Sequence, residues 1–201
     1  TLLPELRLSE DIDLMPLAPR PAVASAIHLG LTLDLERGFG QVVADLPLPD
    51  TRHPGASVYT VGGHRVRVQL VDRDSYPWPW RPTHLNQRFA GCPPAEMNAF
   101  TGEGFAAAKT NAWCDRNAPR DLYDLWALAV DGFITPAAAE VFRKLGPTNR
   151  LPSPTIFPSQ PPSEQEWQDA LGHQCIPAVG PGEAYRTVVD AWHTATRPAE
   201  R

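Results

Sequence analysis

"LSEDIDL", residues 8–14, places two aspartates, Asp11 and Asp13, two positions apart in a stretch that alternates in polarity. Across residues 7–15, Ser9, Asp11 and Asp13 fall on one side, and Leu8, Ile12 and Leu14 fall mostly on the other. That period of two predicts a half-buried strand. Residues i and i+2 of a strand share a face with Cα atoms about 7 Å apart, so both carboxylates can converge on one point. Two carboxylates held that close repel each other. The pair is therefore either a solvated strand end or a holder for a hard cation. Magnesium fits the second reading, since it takes oxygen ligands and is usually held by one or two carboxylates plus substrate phosphates. The pair has no nearby cationic partner in sequence, and Ile12 and Leu14 are expected to anchor the opposite face in the core.

The chain continues from this strand in a readable order. "PAVASAIHLGLTLDLERG", 21–38, reads as a helix with Pro21 near its start and Gly38 at its end. "ASVYTVGGHRVRVQLV", 56–71, is a hairpin of two β-branched runs turning through Gly62-Gly63. That glycine pair is a turn and not a phosphate loop, because no lysine and helix follow it. "YPWPWRP", 76–82, cannot be a central strand and is expected to form an aromatic loop. After about residue 94 the pattern is helical, with helices expected over 103–116, 119–131, 136–145 and 182–196. Six prolines in 147–162 predict a semi-rigid connection, and Ser163 with Glu166 forms a capping box before another helix. The expected fold class is mixed α+β. A core over 1–94 comes first, then a helical region over 95–201.

Composition narrows the function. The 201 residues are 42% hydrophobic and can bury a core, and the net charge of −5 argues against wholesale coating of nucleic acid. Cys92, Cys114 and Cys175 are odd in number and far apart, which argues against a disulfide framework or a zinc site. The six histidines show no metal-ligand spacing. No apolar run approaches the ~18 residues of a membrane span, and no signal peptide opens the chain, so a cytoplasmic protein is expected. Arg65, Arg67, Arg73, Arg81 and Arg88, with Trp78 and Trp80, form either a basic stacking surface for RNA or a solvated hairpin face and a packed loop.

A second constellation lies in "KTNAWCDRNAPRDLYDLWAL", 109–128. Asp121 and Asp124 are three apart and share a helical face, while Leu122, Leu125, Trp126 and Ala129 form the apolar stripe. Pro119 pre-sets the first turn, where the helix dipole favours Asp121. Lys109, Trp113 and Arg116 occupy one side of the preceding helix by the same spacing. Two adjacent helices could thus turn Lys109, Arg116, Arg120, Asp121 and Asp124 towards one cleft. The alternative is a salt-bridged pair of surface helices.

Together the two constellations resemble the AbiEii/AbiGii nucleotidyltransferase toxins of the DNA-polymerase-β-like superfamily. The family pattern R-x-S-x-D-x-D reads here as Arg7, Ser9, Asp11 and Asp13. K-x-x-A, an arginine and R-D-x-x-D read as Lys109, Ala112, Arg116, Arg120, Asp121 and Asp124. The distal "EWQDALGHQ" and the last amphipathic helix are similar to the family's closing region.

The resemblance implies a nucleotidyltransferase-like sheet with helices, followed by a helical C-terminal part. It implies a magnesium-dependent enzyme that takes an NTP as co-substrate, a cognate antitoxin partner and an acceptor that could be tRNA. On this resemblance Asp11 and Asp13 are the metal ligands, and Lys109 contacts the triphosphate. Asp121, ahead of Asp124, activates the attacking hydroxyl, and Arg120 holds the acidic pair. Ser9, Lys109, Arg120 and Asp124 make up the nucleotide-binding set. Alternatives are a catalytically inactive binding protein with the same fold, or a small-molecule nucleotidyltransferase.

Two departures stand out. Only eight residues precede Ser9, so the family's N-terminal helix and Gly-Gly-Thr or Gly-Ser turn are expected to be missing, with Thr1 a remnant. Gln69 stands where relatives often carry a third carboxylate, and Asp72 and Asp74 are the nearest substitutes.

Overall fold

The structure is a computed structural model and describes residues 11–85 and 94–197. Described residues 11–77 form one compact unit and described residues 78–197 the other. The expected line after residue 94 and the observed division after Pro77 differ for a local reason. Residues 80–84 pair with a strand that leads directly into the first helix of the second unit.

The first unit is a four-stranded sheet with one helix on one face. Strand β1 (Asp11–Leu14) precedes helix α1 (Arg20–Phe39), and short β2 (Val42–Ala44), β3 (Ala56–Val61) and β4 (His64–Leu70) follow. The spatial order is β1-β4-β3-β2; β1 runs parallel to β4, and the other two pairs are antiparallel. β3 and β4 are the hairpin expected from sequence. Gly62 (φ +54°) and Gly63 (φ +81°) supply the two left-handed positions that a tight turn matched to strand twist requires.

Alternation then sorts the sheet. Tyr59, Val61, Val68 and Leu70 point to the α1 side and are buried there with Ala24 and Leu48. Val23, Ile27, Leu31 and Leu35 of α1 pack against them at helical spacing. The buried Tyr59 hydroxyl meets His28 Nδ1 at 2.8 Å, so the polar atom that enters this core finds a partner. Burial also raises the Tyr59 phenol above its usual range.

The second unit opens with a ribbon of β5 (Trp80–His84) against β6 (Glu96–Phe100). The aromatic loop expected at 76–82 is thus partly a strand. Pro82 is tolerated because this sheet has only two strands, both of them edges. Five helices follow: α2 (Gly102–Arg116), α3 (Pro119–Val130), α4 (Pro136–Leu145), α5 (Glu164–Leu171) and α6 (Pro181–Ala195). Their starts follow the sequence closely. Thr101, Thr135 and Ser163 accept from backbone amides of the first turns of α2, α4 and α5, and the Ser163–Glu166 capping box is formed in both directions. The proline-rich stretch is tied into the core by Phe157, which stacks on Trp113 with ring centroids 5.4 Å apart. Tyr185 adds a hydrogen bond to the Pro158 carbonyl at 2.8 Å. Trp113, Trp167 and Trp192 are fully enclosed in this core.

Candidate active site

The strand carrying Asp11 and Asp13 lies at the edge of the sheet, and its register with β4 defines a polar face. Asp11 lies opposite Arg67 and Asp13 opposite Gln69. Paired residues project to the same side, and Arg65, Arg67 and Gln69 share that side by the alternation of β4. This is the face opposite α1. Gln69 is therefore the strand neighbour of Asp13, where a third carboxylate would complete the set, and its amide donates to the Pro54 carbonyl at 2.8 Å. Ser9 and Arg7 lie outside the described residues.

Two expectations are corrected here. Asp11 has a cationic partner that sequence distance concealed: Arg67 Nη1 donates to its Oδ2 at 2.6 Å. Ile12 is 44% exposed and does not anchor the pair, because the core beneath the sheet begins at Leu14. The Arg67–Asp11 pair is itself solvent-accessible, with side chains 43% and 33% exposed. Such a pair contributes about 0–1 kcal/mol, so a divalent cation with phosphate ligands can compete for the carboxylate.

The donors suit a hard ion. Among the described residues no three His, Cys, Asp or Glu side chains gather at one point, and on this face those residues offer the Asp11–Asp13 pair as donors. Two carboxylates on an open face match magnesium, which keeps waters and substrate oxygens as its other ligands. They do not match a closed zinc site, which needs four protein donors of softer type.

The second constellation belongs to the other unit and is assembled as the helical spacing predicts. α2 ends with Asn117 in the left-handed conformation (φ 49°), and Pro119 starts α3 two residues later. This tight reversal brings Arg116 onto Asp121 only five residues on. Arg116 Nε reaches Asp121 Oδ2 at 2.6 Å, and Nη2 reaches Oδ1 at 2.8 Å, a bidentate fork. From one face of α2, Lys109 Nζ lies 2.7 Å from Asp124 Oδ2 and 3.4 Å from Asp121 Oδ1. Two cations thus meet two carboxylates in one linked cluster. Asp121 sits in the first turn of α3, where the helix dipole adds to its stabilisation.

Exposure separates the roles within the cluster. The Asp121 side chain is 0% exposed, with both oxygens on Arg116, while Lys109 keeps 27% and Asp124 13% of its side chain exposed. A carboxylate sealed and engaged in this way is well placed to position Lys109 and poorly placed to take a proton from an incoming hydroxyl. Of the two acids, Asp124 is the one that reaches solvent. Arg116 clamps Asp121 through both guanidinium contacts, and Arg120 stands beside Asp121 in the first turn of α3.

The remaining signals resolve separately. Trp78 is only 5% exposed and packs with Ala107 and Phe142, so it is a core residue and not a stacking platform. Trp80 is exposed on β5, and Arg88 lies outside the described residues. Cys114 is pushed up to about 11 by burial, which keeps it a thiol at neutral pH and excludes it as a nucleophile there. No described helix is long and apolar enough to cross a membrane.

A family model described as "Nucleotidyl transferase AbiEii toxin, Type IV TA system" matches residues 2–189. No curated protein and no solved structure matches the chain.

Proposed function

The chain belongs to the AbiEii family of nucleotidyltransferase toxins of type IV toxin–antitoxin systems, and on that premise we propose that it transfers a nucleotide from an NTP with Asp11 and Asp13 as its magnesium-holding pair. Family membership brings an NTP substrate and an antitoxin partner with it. The acceptor we favour is the 3′ end of an RNA, tRNA among the candidates, with the reaction taking place in the cytoplasm. The observation that carries this reading is the face of the β1–β4 pair opposite α1, where both aspartates stand side by side in an accessible position.

Magnesium bound there would neutralise charge on the phosphates and on the leaving pyrophosphate. The chain's own groups do the remainder. Asp11 and Asp13 supply the hard oxygens, after Arg67 gives up Asp11. Lys109 contacts the triphosphate as a compact point charge and is held ready by Asp121 and Asp124. Arg116 locks Asp121, so that the lysine has one preferred position. Asp124, the more accessible acid, receives the proton of the attacking hydroxyl, and Asp121 acts through Lys109. Ser9 and Arg120 complete the nucleotide-binding set.

The deciding experiment incubates the purified protein with each labelled NTP and total RNA, in magnesium and in excess EDTA. Label entering RNA only with magnesium, and lost in both Asp11→Asn and Asp13→Asn, is the expected result. Equal NTP affinity with and without metal refutes the assignment of the pair.

A second reading is favoured by one feature of the same face. Arg67 is ion-paired with Asp11, and an amide stands at Gln69 where a third carboxylate would complete the set. A chain that keeps the fold and binds nucleotide without transfer fits these substitutions. The labelling experiment separates the two, because only transfer moves label into RNA.

A further inference from the structure

The first unit contains a groove of about 600 Å³ at the end of the sheet where β1 and β4 finish. Three arginines from separate segments converge on it: Arg20 in the first turn of α1, Arg52 after the short helical turn at Leu48–Asp50, and Arg73 just beyond β4. Only one carboxylate, Asp72, lies among the lining residues, and Leu70 and Val71 form an apolar floor.

The arginines are not consumed by internal ion pairs. Arg20 Nη2 is fixed by the Thr51 carbonyl and hydroxyl, each at 3.1 Å, while its Nη1 is buried without a hydrogen-bond partner among the described residues. Arg52 and Arg73 make no ion pair among the described residues and are exposed. A buried guanidinium donor left unsatisfied costs free energy, and Thr51 holds the Arg20 side chain in place at the groove. The groove also meets the N-terminal end of the 20-residue α1, which has no side-chain cap. The dipole of α1 favours an anion at that end.

We propose that this groove is a phosphate-group site, separate from the aspartate pair and using none of its residues. Guanidinium groups match the geometry of phosphate oxygens in bidentate fashion, and three of them on an apolar floor suit a phosphate carried on a nucleotide-sized body. The phosphate is either a diester of a polynucleotide or the terminal phosphate of a free nucleotide. The site goes beyond the nucleotidyl-transfer reading, and its occupancy can be measured with metal absent.

The test compares the unaltered protein with Arg52→Ala/Arg73→Ala, Arg52→Lys/Arg73→Lys and the control Arg186→Ala on α6. Both arginines are exposed, so the fold is expected to survive, and thermal unfolding checks this. The probes, all in EDTA, are a fluorescein-labelled short single-stranded RNA, inorganic phosphate and ATP. In the alanine pair, affinity for the responsive probe should fall by about tenfold or more at low salt. If RNA is that probe, its salt slope should drop by roughly 1.4, at about 0.7 for each lost contact to a single strand. The lysine pair should keep most of the slope, and the control should change nothing. Loss for RNA alone identifies a polynucleotide backbone, whereas loss shared by phosphate and ATP identifies a terminal phosphate. Unchanged binding of all three probes in the folded alanine pair, or no binding of any to the unaltered protein, overturns the proposal. Asp11→Asn run alongside distinguishes the two sites: it should abolish transfer and leave these metal-free affinities intact.

Discussion

Arg116→Ala is the substitution whose outcome the structure constrains most tightly. Judged by the arginine alone, the effect should be small: its side chain is 55% exposed, and exposed ion pairs contribute about 0–1 kcal/mol. Its partner decides otherwise. Asp121 is 0% exposed, and losing the fork strips two short hydrogen bonds from a carboxylate that water does not reach. Removing one partner of a buried pair costs about 3–5 kcal/mol. Lys109 at 3.4 Å and the helix dipole, the latter worth about 0.3–1 kcal/mol, remain as partial compensation. The expected loss is therefore about 2–4 kcal/mol, in the second unit. All six tryptophans lie at or beyond Trp78, so tryptophan fluorescence during urea unfolding reports on that unit selectively. With a urea slope of about 2 kcal/mol/M, the midpoint should fall by roughly 1–2 M at unchanged slope. Arg116→Ala/Asp121→Ala should recover part of the loss, because the stranded charge is gone. A loss below about 0.5 kcal/mol for Arg116→Ala refutes the argument that the burial of the acid sets the cost.

Three other substitutions test separate parts of the account. Lys109→Ala should leave Asp121 on its arginine, lower stability by only about 1–2 kcal/mol, and weaken triphosphate binding measured by titration calorimetry; undiminished binding removes the lysine from the site. Gln69→Asp places a third carboxylate beside Asp13 and should tighten manganese binding, followed by paramagnetic relaxation, whereas weaker binding would mean that the register does not create a metal position. Cys114 has its folded value raised to about 11 from an ordinary 9.0, so its contribution to stability is complete below pH 9 and is lost as pH rises towards 11. Cys114→Ala should therefore flatten unfolding free energy over that window, and an unaltered slope between pH 9 and 11 contradicts the assignment.

Local sequence determined much of this protein. The period-two runs at 56–61 and 64–70 with glycines between them, the helix starts at Thr101, Thr135 and Ser163, and the arginine–aspartate helix pair all follow from interactions within a few residues, and the structure contains each of them. The family was legible for the same reason, since its motifs are short and keep their spacing along the chain. Arg67 on Asp11 was not legible. Fifty-six positions separate them, and only the parallel register of β1 on β4 makes them neighbours. Nor could spacing tell that Asp121 is sealed while Asp124 touches solvent, because both lie on one helical face and only the packing around α3 separates them. The same holds for Ile12, whose polarity predicts burial while its place on an edge strand leaves it exposed. Alternation and capping are settled by covalent neighbours, whereas burial and the choice of ion partner depend on which distant surfaces the folded chain brings together.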